Sequence, residues 1–230
     1  MKEQITLLMH LIQYSDSAFP VGTFSFSNGL ETAATHQIVH DAATLEQYTL
    51  DLVRQTVWSD GIAALEAFRA YHRSDYEHIV EADRHVIHCK MNTEARRMTR
   101  RMGKKLAELS THIFPDETIA LWLEDCKARR SEGSYPVAQA LVFAASNLKE
   151  EELFASMIYG VANMILSAAL RCVRVSHFDT QRILHRIASE VAPLYEKTRN
   201  LDLNSMSCFT PQADILASLH EKGLQRMFMN

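Results

Sequence analysis

The chain has 230 residues, 47% hydrophobic and 23% charged, with a formal net charge of -4 and only 7 glycines and 5 prolines. This is enough apolar material for a sizeable core without disulfide or metal staples, and it excludes disordered and low-complexity classes. The acidic balance gives no electrostatic case for nucleic acid or an anionic membrane surface.

Apolar residues recur at spacings of three and four along the chain, which predicts an all-α, single-domain helical bundle of about ten helices. A first helix is predicted to end at the stretch AFPVGTFSFSNGLETA, Ala18 to Ala33. There Phe19 is held extended by Pro20, and Gly22 permits a turn. Phe24, Ser25, Phe26 and Ser27 alternate, which would send both rings to one side and both hydroxyls to the other. Asn28 followed by Glu31 reads as a capping box, and Gly29 tolerates close approach by another backbone. Phe19 and Leu30 are expected in the core, and Ser27, Asn28 and Glu31 at the surface.

Further on, Thr44 to Gln47 reads as a capping box, and Asp60-Gly61 as the restart of a helix carrying Ile62, Leu65 and Phe68. One long helix is predicted from Asp83 to about Leu109, with Met91, Met98, Met102, Leu106 and Leu109 as its apolar stripe and six arginines and lysines on the remaining surface. Pro115-Asp116 opens a helix through Trp122, and Pro136 sits in a first turn. Leu153 to Leu170 is uncharged, yet Ser156, Tyr159, Gly160, Asn163 and Ser167 interrupt it and it is short of the roughly 20 residues of a span. It is predicted to be a buried central helix. Asp179 is the expected cap of a helix ending near Pro193, and a last helix is expected over about Gln212 to Met227.

Phosphate-loop, HExxH and GxSxG patterns are missing. His85, His88 and Cys89 share one helix face and are the best metal candidates, against a surface or packing role for the same side chains. Cys126 is a candidate nucleophile or an ordinary buried cysteine beside Trp122. The four cysteines, Cys89, Cys126, Cys172 and Cys208, are widely spaced and read as reduced thiols of a cytoplasmic protein.

The run Leu11 to Glu31, LIQYSDSAFPVGTFSFSNGLE, resembles the N-terminal signature of the UreF urease accessory proteins. Glu94-Ala-Arg with Gly103 and Leu106, Ser134-Tyr135, Arg171 with Asp179, and the ending Thr210-Pro211-Gln212, His220-Glu221 and Arg226-Met-Phe228 fall in that family's order. The resemblance implies an all-α adaptor without catalysis of its own. It would form a homodimer, join the accessory protein UreD/UreH to the GTPase UreG, and meet apo-urease for nickel insertion. The resemblance further implies that nickel is handled by the assembly, with no cofactor held by this chain and no nucleic-acid or membrane partner. Phe24, Ser27 and Glu31, with Arg226 and Phe228, become candidate partner-interface residues, and the segment from about residue 205 a partner-contacting tail. Three positions depart from the family's habit: Phe24 replaces a frequent tyrosine, His177 a small residue, and Met-Phe-Met-Asn the usual ending. Two other readings stand beside it: a helical-bundle hydrolase of the thiaminase kind using Cys126, and a direct nickel carrier using His85, His88 and Cys89.

Overall fold

In a computed structural model, residues 2–22, 26–220 and 227–228 are described, and these hold helices without a strand. In chain order they are α1 (Lys2–Ser15), α2 (Leu30–Thr35), α3 (Ala42–Thr56), α4 (Ile62–His72), α5 (Tyr76–Cys89), α6 (Thr93–Ile113), α7 (Glu117–Lys127), α8 (Tyr135–Ala145), α9 (Glu150–Cys172), α10 (His177–Thr198) and α11 (Pro211–His220). Side-chain caps fix many of the starts: Asp75, Asn92, Asp116 and Ser176 accept the N–H of His78, Ala95, Ile119 and Asp179. Pro136 stands in the first turn of α8 as expected.

Two apolar clusters form the interior. One gathers around α4 to α8, with Trp122, Phe143 and Leu141 fully buried, and receives Leu7, Leu11 and Tyr14 from α1. The other joins α2, α3, α9, α10 and α11 around Leu30, Leu45, Phe154 and Ile165. Helix α9 is the one described helix long and apolar enough to cross a membrane, and most of its apolar window is buried inside the protein, which makes it a core helix.

Four sequence expectations require correction. The capping box near Thr44 is anchored three residues earlier: Asp41 accepts the Thr44 N–H at 2.8 Å, and the Thr44 hydroxyl accepts from the Asp41 N–H at 3.1 Å. No helix restarts at Asp60-Gly61, because a π-helical turn, Val57–Gly61, carries α3 directly into α4, and Asp60 is engaged by Lys90 at 2.6 Å. The long helix from Asp83 is two helices. Asn92 caps the second by accepting the Ala95 N–H at 2.7 Å, so Met91 lies in the break, 65% exposed, outside the stripe of Met98, Met102 and Leu106. Finally, α10 passes through exposed Pro193 to Thr198, because Leu194 and Tyr195 in the next turn are buried and the Tyr195 hydroxyl donates to Glu150 at 2.5 Å.

The loop before α8 is held by Asp83 of α5 on one side and rests on α6 on the other. The buried Asp83 carboxylate accepts the Ser131 hydroxyl at 2.6 Å and the N–H groups of Glu132, Gly133 and Ser134, each at 2.8 Å. This presses the loop onto Gly103, where a Cβ would lie 2.5 Å from the Ser134 carbonyl oxygen and inside contact distance of the Gly133 oxygen. Both neighbours are backbone and cannot swing aside. Gly103→Ala is therefore expected to cost about 3 kcal/mol or more, read as a lowered urea midpoint with unchanged m-value.

Candidate partner site at the joined chain ends

The turn leading into α2 uses two successive left-handed residues, Asn28 (φ 52°) and Gly29 (φ 78°). Tyr48 on α3 fixes it, its hydroxyl donating to the Asn28 carbonyl oxygen at 2.6 Å; burial raises the Tyr48 pKa. Gly29 faces the backbone of α11: a Cβ there would lie 3.2 Å from the Ala217 nitrogen and 3.3 Å from the Ala213 oxygen. The predicted close approach at this glycine is met, and the approaching backbone is the C-terminal helix. Helix α11 packs against both α2 and α6.

Glu31 on α2 completes the junction. One carboxylate oxygen accepts the Met227 N–H at 2.8 Å; the other lies 3.2 Å from the Phe228 N–H and 2.9 Å from His220 Nε2. On the far side of the ring, His220 Nδ1 is 3.3 Å from a carboxylate oxygen of Glu94 on α6. His220 thus sits between two carboxylates, with one ring nitrogen facing each. The His220 side chain is 3% exposed and both carboxylates 11%. Burial pushes the Glu31 pKa up, but the Met227 N–H, the His220 ring and the Phe228 N–H outweigh it and hold it below the ordinary 4.5. The Arg171 guanidinium on α9 lies 4.1 Å from the centroid of the buried Phe228 ring, a cation–π contact.

The sequence-predicted residues are thus redistributed. Glu31 and Phe228 come together, 197 positions apart in the chain, whereas Ser27 is fully buried nearby. Ser27 and Glu31 are buried, contrary to expectation, and for Glu31 the cover is His220 with the backbone of residues 227–228. Phe26 and Ser27 are both buried, so the hydroxyl side of the expected alternation is covered too. No Asn28–Glu31 capping box forms: Gly29 is the N-cap, without a side-chain cap, and the Glu31 carboxylate is taken by the tail. Phe24 and Arg226 lie outside the described residues. Sequence reasoning did not single out His220, Glu94, Tyr48 or Arg171 for this site. Their one signal is occurrence in the same two family runs or in the segments between, and nothing local marks it.

The other candidates are not assembled for chemistry. His85 Nδ1 is 3.0 Å from the Glu81 carbonyl oxygen of its own helix, and its ring centroid is 6.5 Å from that of the exposed His88. Cys89 is half-buried, its pKa raised by burial and by Asp60. Among the described residues no group of three His, Cys, Asp or Glu side chains is placed to hold a metal ion. Cys126 is buried in the core cluster with Trp122, and burial and the nearby Asp83 push its thiol up to about 12, which disfavours the thiolate that the hydrolase reading needs.

The UreF family model matches residues 39–188. The chain belongs to the UreF family. It is 47% identical over 223 residues to urease accessory protein UreF 2 of Brucella canis and to that of Brucella abortus, covering 97% of this chain and 92% of each relative. It is 43% identical to urease accessory protein UreF of Yersinia pseudotuberculosis, covering 97% and 98%. UreF membership supports an accessory, non-catalytic role in urease maturation, in association with other urease accessory proteins.

Two outcomes test the junction. Glu31→Gln removes the charge and one of two acceptor oxygens, and should weaken tail docking by about 1–3 kcal/mol, read as faster amide exchange in α11 and at residues 227–228 with α4 to α8 unchanged. Because the folded-state pKa of Glu31 lies below its ordinary value, its contribution is complete above about pH 4.5 and is lost as the pH falls through the lowered value. Proteolytic nicking near residue 210 should therefore appear on acidification before global unfolding, and less sharply in Glu31→Gln.

Proposed function

We propose that this chain is a non-catalytic, cytoplasmic adaptor of urease maturation that joins UreD/UreH to the GTPase UreG as a homodimer and presents the assembly to apo-urease. Nickel is the cargo of that assembly, and no cofactor is assigned to this chain. The observation that supports the reading best is the junction at Glu31. Glu31 of the N-terminal motif meets His220, Met227 and Phe228 of the C-terminal segment at one place. A surface held by a charge-assisted network meets a partner at low ordering cost. Its outward side is apolar: Ile215, Leu219 and Met227 are 59%, 46% and 58% exposed, while His220 and Phe228 point inward. In this reading Glu31 and Phe228 position the surface, and the exposed α11 residues are offered to UreD/UreH.

Co-purification of the chain with UreD/UreH and UreG, repeated with the segment after Leu224 removed, tests this. The full chain is expected to join both. The truncated chain is expected to keep its helicity, since Phe228 is the one described residue of the two apolar clusters beyond Leu224, and to lose UreD/UreH. A truncated chain that still binds UreD/UreH would refute the assignment of the tail.

A further inference from the structure

The outer side of α6 concentrates positive charge. Residues 96–105 hold six of the chain's 24 lysines and arginines and no acidic residue, so the remainder of a chain of net charge -4 is strongly acidic. Arg96 turns inward and donates to the Lys90 carbonyl oxygen. The other five, Arg97, Arg100, Arg101, Lys104 and Lys105, fall within about 140° of arc at 3.6 residues per turn, opposite the buried Met102, Leu106 and Ala107. Arg97, Arg101 and Lys105 are exposed and follow one another at intervals of four. Like charges at that spacing repel along a helix, so the stripe works against the helix that carries it.

The charge extends beyond α6. The loop before α8 lies on this helix: the Tyr135 N–H donates to the Thr99 hydroxyl at 3.0 Å, and a Cβ at Gly133 would lie 2.8 Å from Lys104 Cε. The same loop hangs from Asp83, whose chain neighbour Arg84 is exposed. Exposed Lys127 and Arg129 stand just before it. Three further cations are thus set around the loop that α6 supports. Two carboxylates offset part of this charge: Glu132 pairs with Arg100, and Glu108 lies 3.6 Å from Lys105.

We infer that the stripe of Arg97, Arg101 and Lys105 docks an acidic segment of a partner protein, with clustered carboxylates set against the guanidinium and ammonium groups. Charge complementarity names the occupant, since carboxylates relieve the repulsion along the helix and accept charge-assisted hydrogen bonds from it. From Arg97 to Lys105 the stripe covers about 12 Å of helix, room for a short run of carboxylates. A long polyanion would run on from it over the acidic remainder of the chain and be repelled there. Helix α6 also carries no Phe, Tyr or Trp on which unpaired bases would stack. The stripe shares no residue with the exposed side of α11, so it adds a second contact surface to the protein.

Fluorescence anisotropy of a labelled decaglutamate peptide, titrated with the full chain, reads the inference directly. The wild type is expected to bind at about 20 mM salt and to weaken roughly tenfold by about 200 mM, as screening sets in. The variant Arg97→Glu/Arg101→Glu/Lys105→Glu should lose the peptide. An equal change of net charge at exposed positions elsewhere, Arg174→Glu/Arg182→Glu/Lys197→Glu, should stay within roughly threefold of the wild type, since those charges lie outside the stripe. Circular dichroism checks that each variant is folded. The neutral variant Arg97→Gln/Arg101→Gln/Lys105→Gln should also lose the peptide while its Tm holds or rises, because the repulsion along α6 is relieved. A wild type that ignores the peptide at low salt, or equal losses in the two glutamate variants, would overturn the docking stripe. Tighter binding of a single-stranded oligothymidylate than of the peptide would overturn the carboxylate partner and assign the stripe to phosphates.

Discussion

The carboxylate of Glu31 is the group on which the described chain ends depend. It takes two backbone N–H groups from residues 227–228 and faces the His220 ring, all in surroundings where an unmatched charge would be costly. Each partner compensates its burial, and the lowered pKa of Glu31 records the balance. Around it the fit is steric: Gly29 lets α11 approach, Tyr48 holds the turn, and Arg171 covers Phe228. A side chain added at position 29 and a charge removed at position 31 act on the same docking equilibrium from different sides.

The helical scaffold serves that junction by splitting its tasks. Helices α4 to α8 build a dense cluster, pinned by the Asp83 network and the backbone contact at Gly103, while α9 forms the wall on which α2, α3 and α10 rest. Arg69 on α4 reaches Glu150 on α9 at 2.9 Å, and Tyr195 on α10 donates to the same carboxylate, so one ion pair joins three helices and both clusters. The π-helical turn at Val57–Gly61 makes α3 and α4 one continuous element between the two clusters, with Phe154 of α9 closing on Gly61.

What the sequence reveals here is what neighbours in the chain determine. The helical class, the cap at Asp116, the first-turn proline of α8 and the burial of α9 all follow from residues within a few positions of one another, whereas the expected cap Asp179 is the third residue of a helix that Ser176 caps. Distant partners decide the failures. The helix from Asp83 breaks where Asn92 caps anew and Lys90 turns to Asp60, 30 positions earlier. Pro193 does not end α10 because buried Leu194 and Tyr195 outweigh one lost hydrogen bond. Glu31 followed by a helix looks like a capping residue, and only a histidine 189 positions away shows why it is not one. Family resemblance pointed to both ends of the chain. It could not say that the two ends are one site.

That separation along the chain orders events in time. Glu31 leaves the ribosome well before His220, Met227 and Phe228, which dock on it. Contacts across nearly two hundred positions close late and at high entropic cost. Until His220 and residues 227–228 have emerged, the Glu31 carboxylate is therefore without these partners. The junction at Glu31 thus forms only after nearly two hundred intervening positions have been made.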